Sequence, residues 1–444
     1  PFYRTPFKVG ETVAAVLTGI GVAANDIWQL RTGQRQTVSI DVAMAAATIR
    51  TGDYTRAQDA SGAFHHVPTP TNFAHMLTVT QPWRTKDDRY VLPHLNLPHL
   101  SARVLGVLNC ESTPEAVGGA VAQWNADDLE EAIATARACG GKVRTQAEWL
   151  AHPQGRFLAN LPLVGIERTT PGNPEPFKPG DRPLAGVRVL DLTRILAGPL
   201  AGRALAEQGA DVLMVTAEHL PQTAEHVRDT SHGKRSCFID LKTPDGKAAL
   251  EALVREADVF LSGYRPGELA KLGFGLDDLQ RLRPGIVVTT VSCFGPGGPL
   301  AGRAGWEQVA QCVTGIAEAN GRLAGTGAPK LVFAPVCDYT TGYLAAYGTL
   351  LALARRAREG GSFHVQASLC QAGMFLQRQG LLDDFQDAPE RLTEEALATA
   401  AVEADTCYGR LRTLGPVLRM SATPPRWERT TPKLGGDTPA WLPR

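Results

Sequence analysis

Between residues 187 and 295, short apolar runs alternate with segments of helical periodicity. The segments 196–210 and 246–257 carry small and apolar residues at helical spacing. Strands separated by helices of this length predict βαβ units and a parallel sheet, so the pattern indicates an α/β domain. In open parallel sheets, ligands bind beyond the carboxyl ends of the strands. The predicted strands are 187–193, 211–216, 237–241, 258–263 and 286–295, and the ends that would meet a ligand are Thr193–Pro199, Ser262–Gly267 and Cys293–Gly298.

The pattern before residue 169 is mixed and predicts a smaller α+β unit. Residues 169–183 follow it, with five prolines and little apolar content. Such a composition is typical of an extended linker between domains. The predicted elements before the linker are helices over 10–32, 38–49 and most of 111–152, and a hairpin over 83–95 that turns at Asp87 and Asp88.

One part of the chain echoes another. Residues 10–44 and 342–373 each run through a small-residue helix, a glycine-containing turn, a β-branched stretch and a second apolar helix. Two units with the same order of features indicate duplication or fusion of a partial copy.

Charge and cysteine content narrow the classes of function. The 444 residues include 45 basic and 45 acidic side chains, which gives no electrostatic reason to bind nucleic acid or an anionic membrane. No run reaches the roughly 18 apolar residues of a membrane span. The eight cysteines are widely spaced without a C-x-x-C pair, so we expect reduced thiols in a cytoplasmic protein and no metal site. The histidines of the first unit are expected to be polar surface or lid residues: His65, His66, His75 and His94.

Several blocks of the sequence resemble the class III CoA-transferases, also called the CaiB/BaiF family. The resemblance is strong over 183–375, in the blocks 183–215 and 232–299, and GWEQVAQCVTG (305–315) is similar to the formyl-CoA transferase branch. Residues 414–438 resemble the family's C-terminal return to its large domain, and 10–165 resemble its second half. Material from the second half therefore precedes the CoA-binding half, which departs from the usual order.

The resemblance implies a two-domain α/β architecture, with a Rossmann-like large domain on a parallel sheet, a smaller α+β domain and interlocked, ring-like dimers. In this chain the two part-copies are expected to pair either within one chain, as a pseudo-dimer, or between the chains of a homodimer. The implied organisation is a helical segment of a first copy packed on the large domain (1–50), a small α+β domain (51–168), a linker (169–183), the CoA-binding domain (184–375), and a shortened lid with a return segment (376–444).

The resemblance also implies an activity: transfer of CoA from an acyl-CoA to a small carboxylic acid through an aspartyl-CoA thioester. It places the nucleophile at Asp338 in APVCDYTTG, and Glu307 and Gln308 near the acyl group. From the local sequence, Asp338 follows a strand-like run, LVFAPV, and precedes a small-residue helix. Backbone N–H groups there would favour the ionised carboxylate. The alternatives are a plain helix cap for Asp338 and an ordinary first helical turn for Glu307.

The residues matched to CoA binding suit a nucleotide, because lysine and arginine bind phosphates and a tyrosine can cover the base. Solvated surface charge is the alternative for Lys242 and Lys271. Two features depart from the family: Met214–Thr216 replaces a Lys-x-Glu, and no glycine-rich loop follows residue 374. The matched positions are Arg194, Ile195, Leu196, Ala197, Ile239, Lys242, Gly263, Tyr264, Arg265 and Lys271.

Two other functions stay open. An acyl-CoA racemase or isomerase would use Asp338 as a base, but Trp306 stands where that branch places a histidine, and an indole exchanges no proton. A non-catalytic CoA-binding subunit would explain the atypical order of the halves. In the alignment of the two part-copies, Pro6 falls near the counterpart of Asp338, so the first copy is predicted to lack a second site.

Overall fold

The computed structural model describes residues 1–443, in which helices and strands alternate along most of the chain. The helices are α1 (Val9–Thr32), α2 (Val42–Ala47), α3 (Thr71–Val79), α4 (Pro98–Leu108), α5 (Pro114–Val121), α6 (Ala126–Thr135), α7 (Gln146–Ala151), α8 (Pro153–Ala159), α9 (Ala197–Glu207), α10 (Ala224–Thr230), α11 (Pro244–Glu256), α12 (Leu276–Leu282), α13 (Glu307–Thr314), α14 (Ile316–Leu323), α15 (Val336–Glu359), α16 (Leu369–Arg378) and α17 (Glu394–Ala398), with 3₁₀ turns at Thr48–Tyr54 and Ala270–Leu272. The strands are β1 (Val38–Ser39), β2 (Arg56–Gln58), β3 (Phe64–His66), β4 (Trp83–Arg84), β5 (Tyr90–Pro93), β6 (Gly140–Lys142), β7 (Gly165–Thr170), β8 (Arg188–Leu192), β9 (Asp211–Thr216), β10 (Arg235–Phe238), β11 (Val259–Ser262), β12 (Val287–Ser292), β13 (Ser362–Ser368), β14 (Ala401–Thr406), β15 (Gly409–Leu414) and β16 (Arg419–Met420).

The large domain is built on a seven-stranded sheet in the order β10-β9-β8-β11-β12-β13-β7. The first six strands are parallel and β7 is antiparallel to β13. Numbered along the chain, the parallel strands have the 3-2-1-4-5-6 order of a doubly wound nucleotide-binding fold. Four of the predicted strands coincide with β8, β9, β11 and β12, whereas the strand predicted over 237–241 overlaps β10 only at Cys237 and Phe238. The α/β fold with a smaller second domain is confirmed.

Burial explains why these runs become strands. Every residue of β8 and β11 is buried, as helices cover both faces of the sheet. The run LVFAPV before Asp338 was predicted to be strand-like, and this is wrong: residues 331–335 are irregular. Its polar groups bond to side chains instead of a strand, since Val332 N–H donates to Gln311 Oε1 and Asn320 Nδ2 donates to the Leu331 carbonyl.

The first part of the chain is spread over several sheets. β4, β5 and β6 form one three-stranded sheet, with the predicted turn at Asp87 and Asp88, where Asp88 has a φ of 58°. β2 and β3 form a four-stranded sheet with β14 and β15. Strands from the last part of the chain therefore complete a sheet that begins in the first part. Residues 165–168 were assigned to the small domain, but β7 is an edge strand of the large sheet.

The C-terminal segment returns to the large domain. Gly233 N–H donates to the Arg429 carbonyl, and Asp437 N–H donates to the Ser236 carbonyl. Trp441 Nε1 donates to the Leu253 carbonyl on α11, at 3.0 Å. Residues 426–442 therefore run along β10 and the neighbouring helices.

Helices α1 and α15 pack against each other and set the register of the internal repeat. Each has 24 residues and is followed by a glycine of positive φ, Gly33 or Gly360. This register pairs Glu11 with Asp338, so the placement of Pro6 was wrong. Small residues recur along both helices, so the sequence alignment of the two part-copies was displaced by several residues relative to the register of the helix ends. Unlike Asp338, Glu11 is exposed.

Helix α1 is long and apolar enough to cross a bilayer by length and composition. Half of its most apolar 18-residue window is buried inside the molecule. It packs along α15 and α2, and a Cβ on Gly19 would lie 3.4 Å from the ring of Tyr347. The apolar face of this helix is therefore used in the packing of the two part-copies.

Candidate active site

A cavity of about 730 Å³ opens at the carboxyl ends of β8 and β11. These two strands flank the point where the strand order reverses, which is where ligands bind in doubly wound folds. The loops after the strands form one wall. Helix α4 and Arg137, both from the first part of the chain, form the wall opposite.

All ten residues that the sequence matched to CoA binding line this one cavity, and Asp338 lines it too. They come from three separate connections, those after β8, β10 and β11, so only the fold brings them together. Thr216, at the altered Met214–Thr216 position, also faces the cavity, and its Oγ1 accepts a hydrogen bond from Gln222 Nε2 at 2.8 Å. The cavity wall is thus neutral at this position.

The loop after β8 is fixed by a buried ion pair that the sequence reasoning missed. Asp191 Oδ1 accepts hydrogen bonds from Thr193 N–H and Oγ1, at 3.0 and 2.5 Å. Its Oδ2 lies 2.8 Å from Lys234 Nζ, and both side chains are completely buried. The next turn places Ile195 at a φ of 75°, which is strained for a β-branched residue. A charged residue inside an apolar strand was the available signal for this pair.

Asp338 lies in the first turn of α15 and is 8% exposed. Among the residues that the structure describes, its carboxylate has no hydrogen bond and no ion pair. Helix α15 is held close to the loop after β8, because a Cβ on Gly342 would lie 2.5 Å from the Ala197 carbonyl oxygen. Gly342 is one turn after Asp338, so this contact places the carboxylate against the cavity.

Glu307 occupies the N-terminus of α15 from a neighbouring helix. It is 5% exposed, and its Oε2 accepts from Asp338 N–H at 2.6 Å while Oε1 accepts from Cys337 N–H at 3.1 Å. Gln311 Nε2 also donates to Glu307 Oε1, at 2.7 Å. Glu307 therefore takes the backbone donors that the sequence had assigned to Asp338, and it does not itself line the cavity.

The two carboxyl groups have raised pKa values. Burial raises the pKa of Glu307 to about 6, against the hydrogen bonds that lower it. Burial, and then the charge of Glu307, hold the pKa of Asp338 well above the usual range. The expectation that the helix N-terminus favours ionised Asp338 is wrong, because Glu307 receives those N–H groups and adds a like charge.

Gln308 lies behind the cavity wall and contacts a histidine. His94 Nε2 lies 3.0 Å from Gln308 Oε1, and its ring packs on Trp306 with a centroid separation of 4.8 Å. His94 was predicted to be a polar surface or lid residue, but it is fully buried, and burial lowers its pKa to about 4. Trp306 lines the cavity in front of it.

Comparison with known proteins identifies the family of the segment that forms most of this cavity. Residues 184–402 match the model of CoA-transferase family III. This segment is a domain of CoA-transferase family III.

Three relatives show how far the similarity extends. An "Acyl-CoA transferase" of Gibberella moniliformis is 35% identical over 266 residues, which cover 57% of this chain and 47% of the relative. The "Acetyl-coenzyme A transferase nodX" of Hypoxylon pulicicidum is 30% identical over 322 residues, covering 68% and 54%. A "Succinate--glutarate CoA-transferase" of Agrobacterium fabrum is 34% identical over 205 residues, covering 42% and 51%. The chain spans about half the length of these relatives.

The cavity is also lined by residues that lie outside the segment matched by the family model. Leu97, His99, Leu100 and Arg103 line it from α4 and the residue before, and Arg137 lines it from the turn before β6. Sequence reasoning missed these residues, since they lie far before the matched segment in the chain. Only the packing of the two domains brings them to the cavity that Tyr264 and Arg265 also line.

Proposed function

We propose that this chain moves CoA from an acyl-CoA to a carboxylic acid, with Asp338 as the nucleophile. One observation carries the proposal: Asp338 is a buried carboxylate that has no partner among the described residues, and it lines the cavity together with all ten residues matched to CoA binding. A buried carboxylate that is only structural is normally paired, as Asp191 is with Lys234. Asp338 has only the cavity to face.

The proposed reaction proceeds by covalent catalysis, which divides one exchange into easier steps. A carboxylate oxygen of Asp338 attacks the thioester carbonyl, the C–S bond breaks, and CoA leaves as a thiolate. The product is a mixed anhydride between Asp338 and the acyl group. The thiolate then attacks the Asp338 carbonyl carbon and expels the donor acid as a carboxylate, leaving an aspartyl-CoA thioester. The acceptor carboxylate repeats these steps in reverse order.

Glu307 acts on this chemistry from behind the nucleophile. By accepting from Cys337 and Asp338 N–H, it fixes the first turn of α15 and the direction of the Asp338 side chain. Its negative charge also destabilises the carboxylate form of Asp338, which raises the energy of the reactant relative to the neutral anhydride and thioester. Glu307 is therefore a positioning residue.

The test is a transfer assay with a panel of acyl-CoA donors and carboxylic acid acceptors, in which new acyl-CoA is measured by chromatography. Asp338→Asn should lose activity by a factor on the order of a thousand or more. The matched control is Glu11→Gln, which removes the counterpart carboxylate from the first turn of α1, where it is exposed. That control should keep wild-type activity.

Three outcomes would contradict the proposal. Transfer that survives in Asp338→Asn would exclude this nucleophile. Incorporation of solvent deuterium at the α-carbon of an acyl-CoA, with no transfer to any acceptor, would favour the racemase. CoA binding with neither reaction across the panel would favour a binding subunit.

A further inference from the structure

We propose that Arg103, Arg137 and Arg265 form an arginine clamp that binds the phosphate groups of the nucleotide part of CoA between the two domains. The inference rests on the proposed function, since it names residues that hold the same ligand. Arg265 belongs to the loop after β11, whereas the other two come from the small domain and lie outside residues 184–402.

The clamp carries positive charge that the protein does not neutralise. Seven arginine and lysine side chains line the cavity, against three carboxylates, one of which is the reactive Asp338. In the described part of the chain, Arg103 and Arg265 have no carboxylate within ion-pair distance. Glu268 is shared, at 3.2 Å from Arg137 and 2.9 Å from Lys271. In a chain of zero net charge, such an excess in one cleft indicates an anionic ligand.

The two arginines of the small domain are set in place before a ligand arrives. Arg103 Nη1 donates to the Arg137 carbonyl oxygen at 3.0 Å, which joins α4 to the turn before β6. Arg137 adopts a φ of 53° in this turn. The ion pair of Arg137 with Glu268 then connects the small domain to the loop after β11. The clamp therefore spans the interface of the domains.

Hydrogen bonds and ion pairs hold the three arginines near one another, because Arg103 bonds to the Arg137 carbonyl and Arg137 pairs with Glu268, three residues after Arg265. Burial and the charges of Arg137 and Arg103 also lower the pKa of Arg265. Among the described residues, none of the three forms an ion pair with Asp338. The thioester must reach Asp338, so we assign the clamp to the phosphate-bearing end of CoA.

The experiment measures the dissociation constants of CoA, adenosine 3′,5′-bisphosphate and adenosine by calorimetry. The variant is Arg103→Gln/Arg137→Gln, in which both replaced side chains are exposed. The control is Arg84→Gln, another small-domain arginine, whose side chain is 66% exposed against 64% for Arg137. The double variant should weaken CoA and the bisphosphate by roughly tenfold or more, because charge-assisted hydrogen bonds are lost, and leave adenosine unchanged. The control should match wild type.

The possible failures are distinguishable. If wild type binds CoA and the double variant binds CoA and the bisphosphate as tightly, the clamp is wrong and the proposed function stands. If only acyl-CoAs with a terminal carboxylate lose affinity, measured as succinyl-CoA against butyryl-CoA, the arginines bind the acyl end and the phosphate assignment is overturned. If wild type binds neither CoA nor the bisphosphate, the proposed function fails with it.

Discussion

Two carboxylates share one helix N-terminus in this protein, and their unequal surroundings divide their roles. Glu307 accepts hydrogen bonds from the backbone N–H groups of Cys337 and Asp338 in α15, while the Asp338 carboxylate, 31 positions later in the chain, lines the cavity and has no partner in residues 1–443. Both are buried, so each resists the ionisation of the other. This arrangement destabilises the ionised form of the Asp338 carboxylate.

Replacing Glu307 should change the pH dependence of transfer. In wild type, kcat/KM should fall as the pH decreases through the raised pKa values of the pair, of which that of Glu307 is about 6. Glu307→Gln removes the like charge but keeps an acceptor for the helix, so Asp338 should ionise at lower pH and the acidic limb should move down. Measured pH profiles check this. An unmoved limb would mean that Glu307 does not control Asp338, and Glu11→Gln supplies the control profile.

Ionisation of Asp338 should also lower the free energy of unfolding of the protein. Its pKa is higher in the folded than in the unfolded state, so folding favours the protonated form. The stabilisation from that protonated form is complete below the ordinary carboxyl pKa and is lost as the pH rises through the folded-state value. Asp338→Asn should therefore have a larger free energy of unfolding than wild type at alkaline pH, with a smaller difference at acidic pH. Urea unfolding at both pH values measures it, and a less stable variant at alkaline pH would contradict the assignment.

At the level of elements, the close contact of α9 with α15 positions Asp338 at the cavity. Gly342 permits this contact, since any Cβ there would overlap the Ala197 carbonyl oxygen. The apolar runs predicted the strands of the sheet, because burial on both faces leaves a continuous apolar signal. They could not predict how closely two helices approach, nor that the run before Asp338 would bond to the side chains of Asn320 and Gln311.

Gly342→Ala should disturb both folding and activity. The added methyl group must push α15 from the loop after β8, which should lower the free energy of unfolding by about 1–3 kcal/mol and reduce kcat more than it changes KM. Gly119→Ala is the control, because a Cβ on this helical glycine meets nothing within 4 Å. Denaturant unfolding and kinetics of both variants test the point. Equal behaviour of the two would show that the α9–α15 contact does not position Asp338.

At the scale of the whole molecule, the chain supplies both walls of its own cavity. The lining residues that follow the strands could be predicted from motif spacing, because Arg194 and Tyr264 follow recognisable strands. The lining residues from the small domain could not, because Arg103 and Arg137 lie in a helix and a turn with no distinctive sequence pattern. His94 was misjudged for a related reason: Gln308 and Trp306, which contact its ring, come from more than 200 positions away in the chain.

A cavity completed within one chain predicts that inactive variants will not rescue each other. Asp338→Asn and Arg103→Gln/Arg137→Gln alter opposite walls of the cavity. Mixed before assay, they should give no more transfer than the sum of their separate activities. Activity above that sum would show that the two walls come from different chains.

The most direct test of the central claim is the intact mass of the protein after incubation with each acyl-CoA donor, before and after treatment with hydroxylamine. Wild type should gain an adduct of the mass of CoA, less water, which hydroxylamine removes because it cleaves thioesters. Asp338→Asn should gain none, and Glu11→Gln should behave as wild type. A protein that binds CoA and completes transfer, yet forms no adduct with any donor or forms it equally in Asp338→Asn, would contradict Asp338 as the nucleophile.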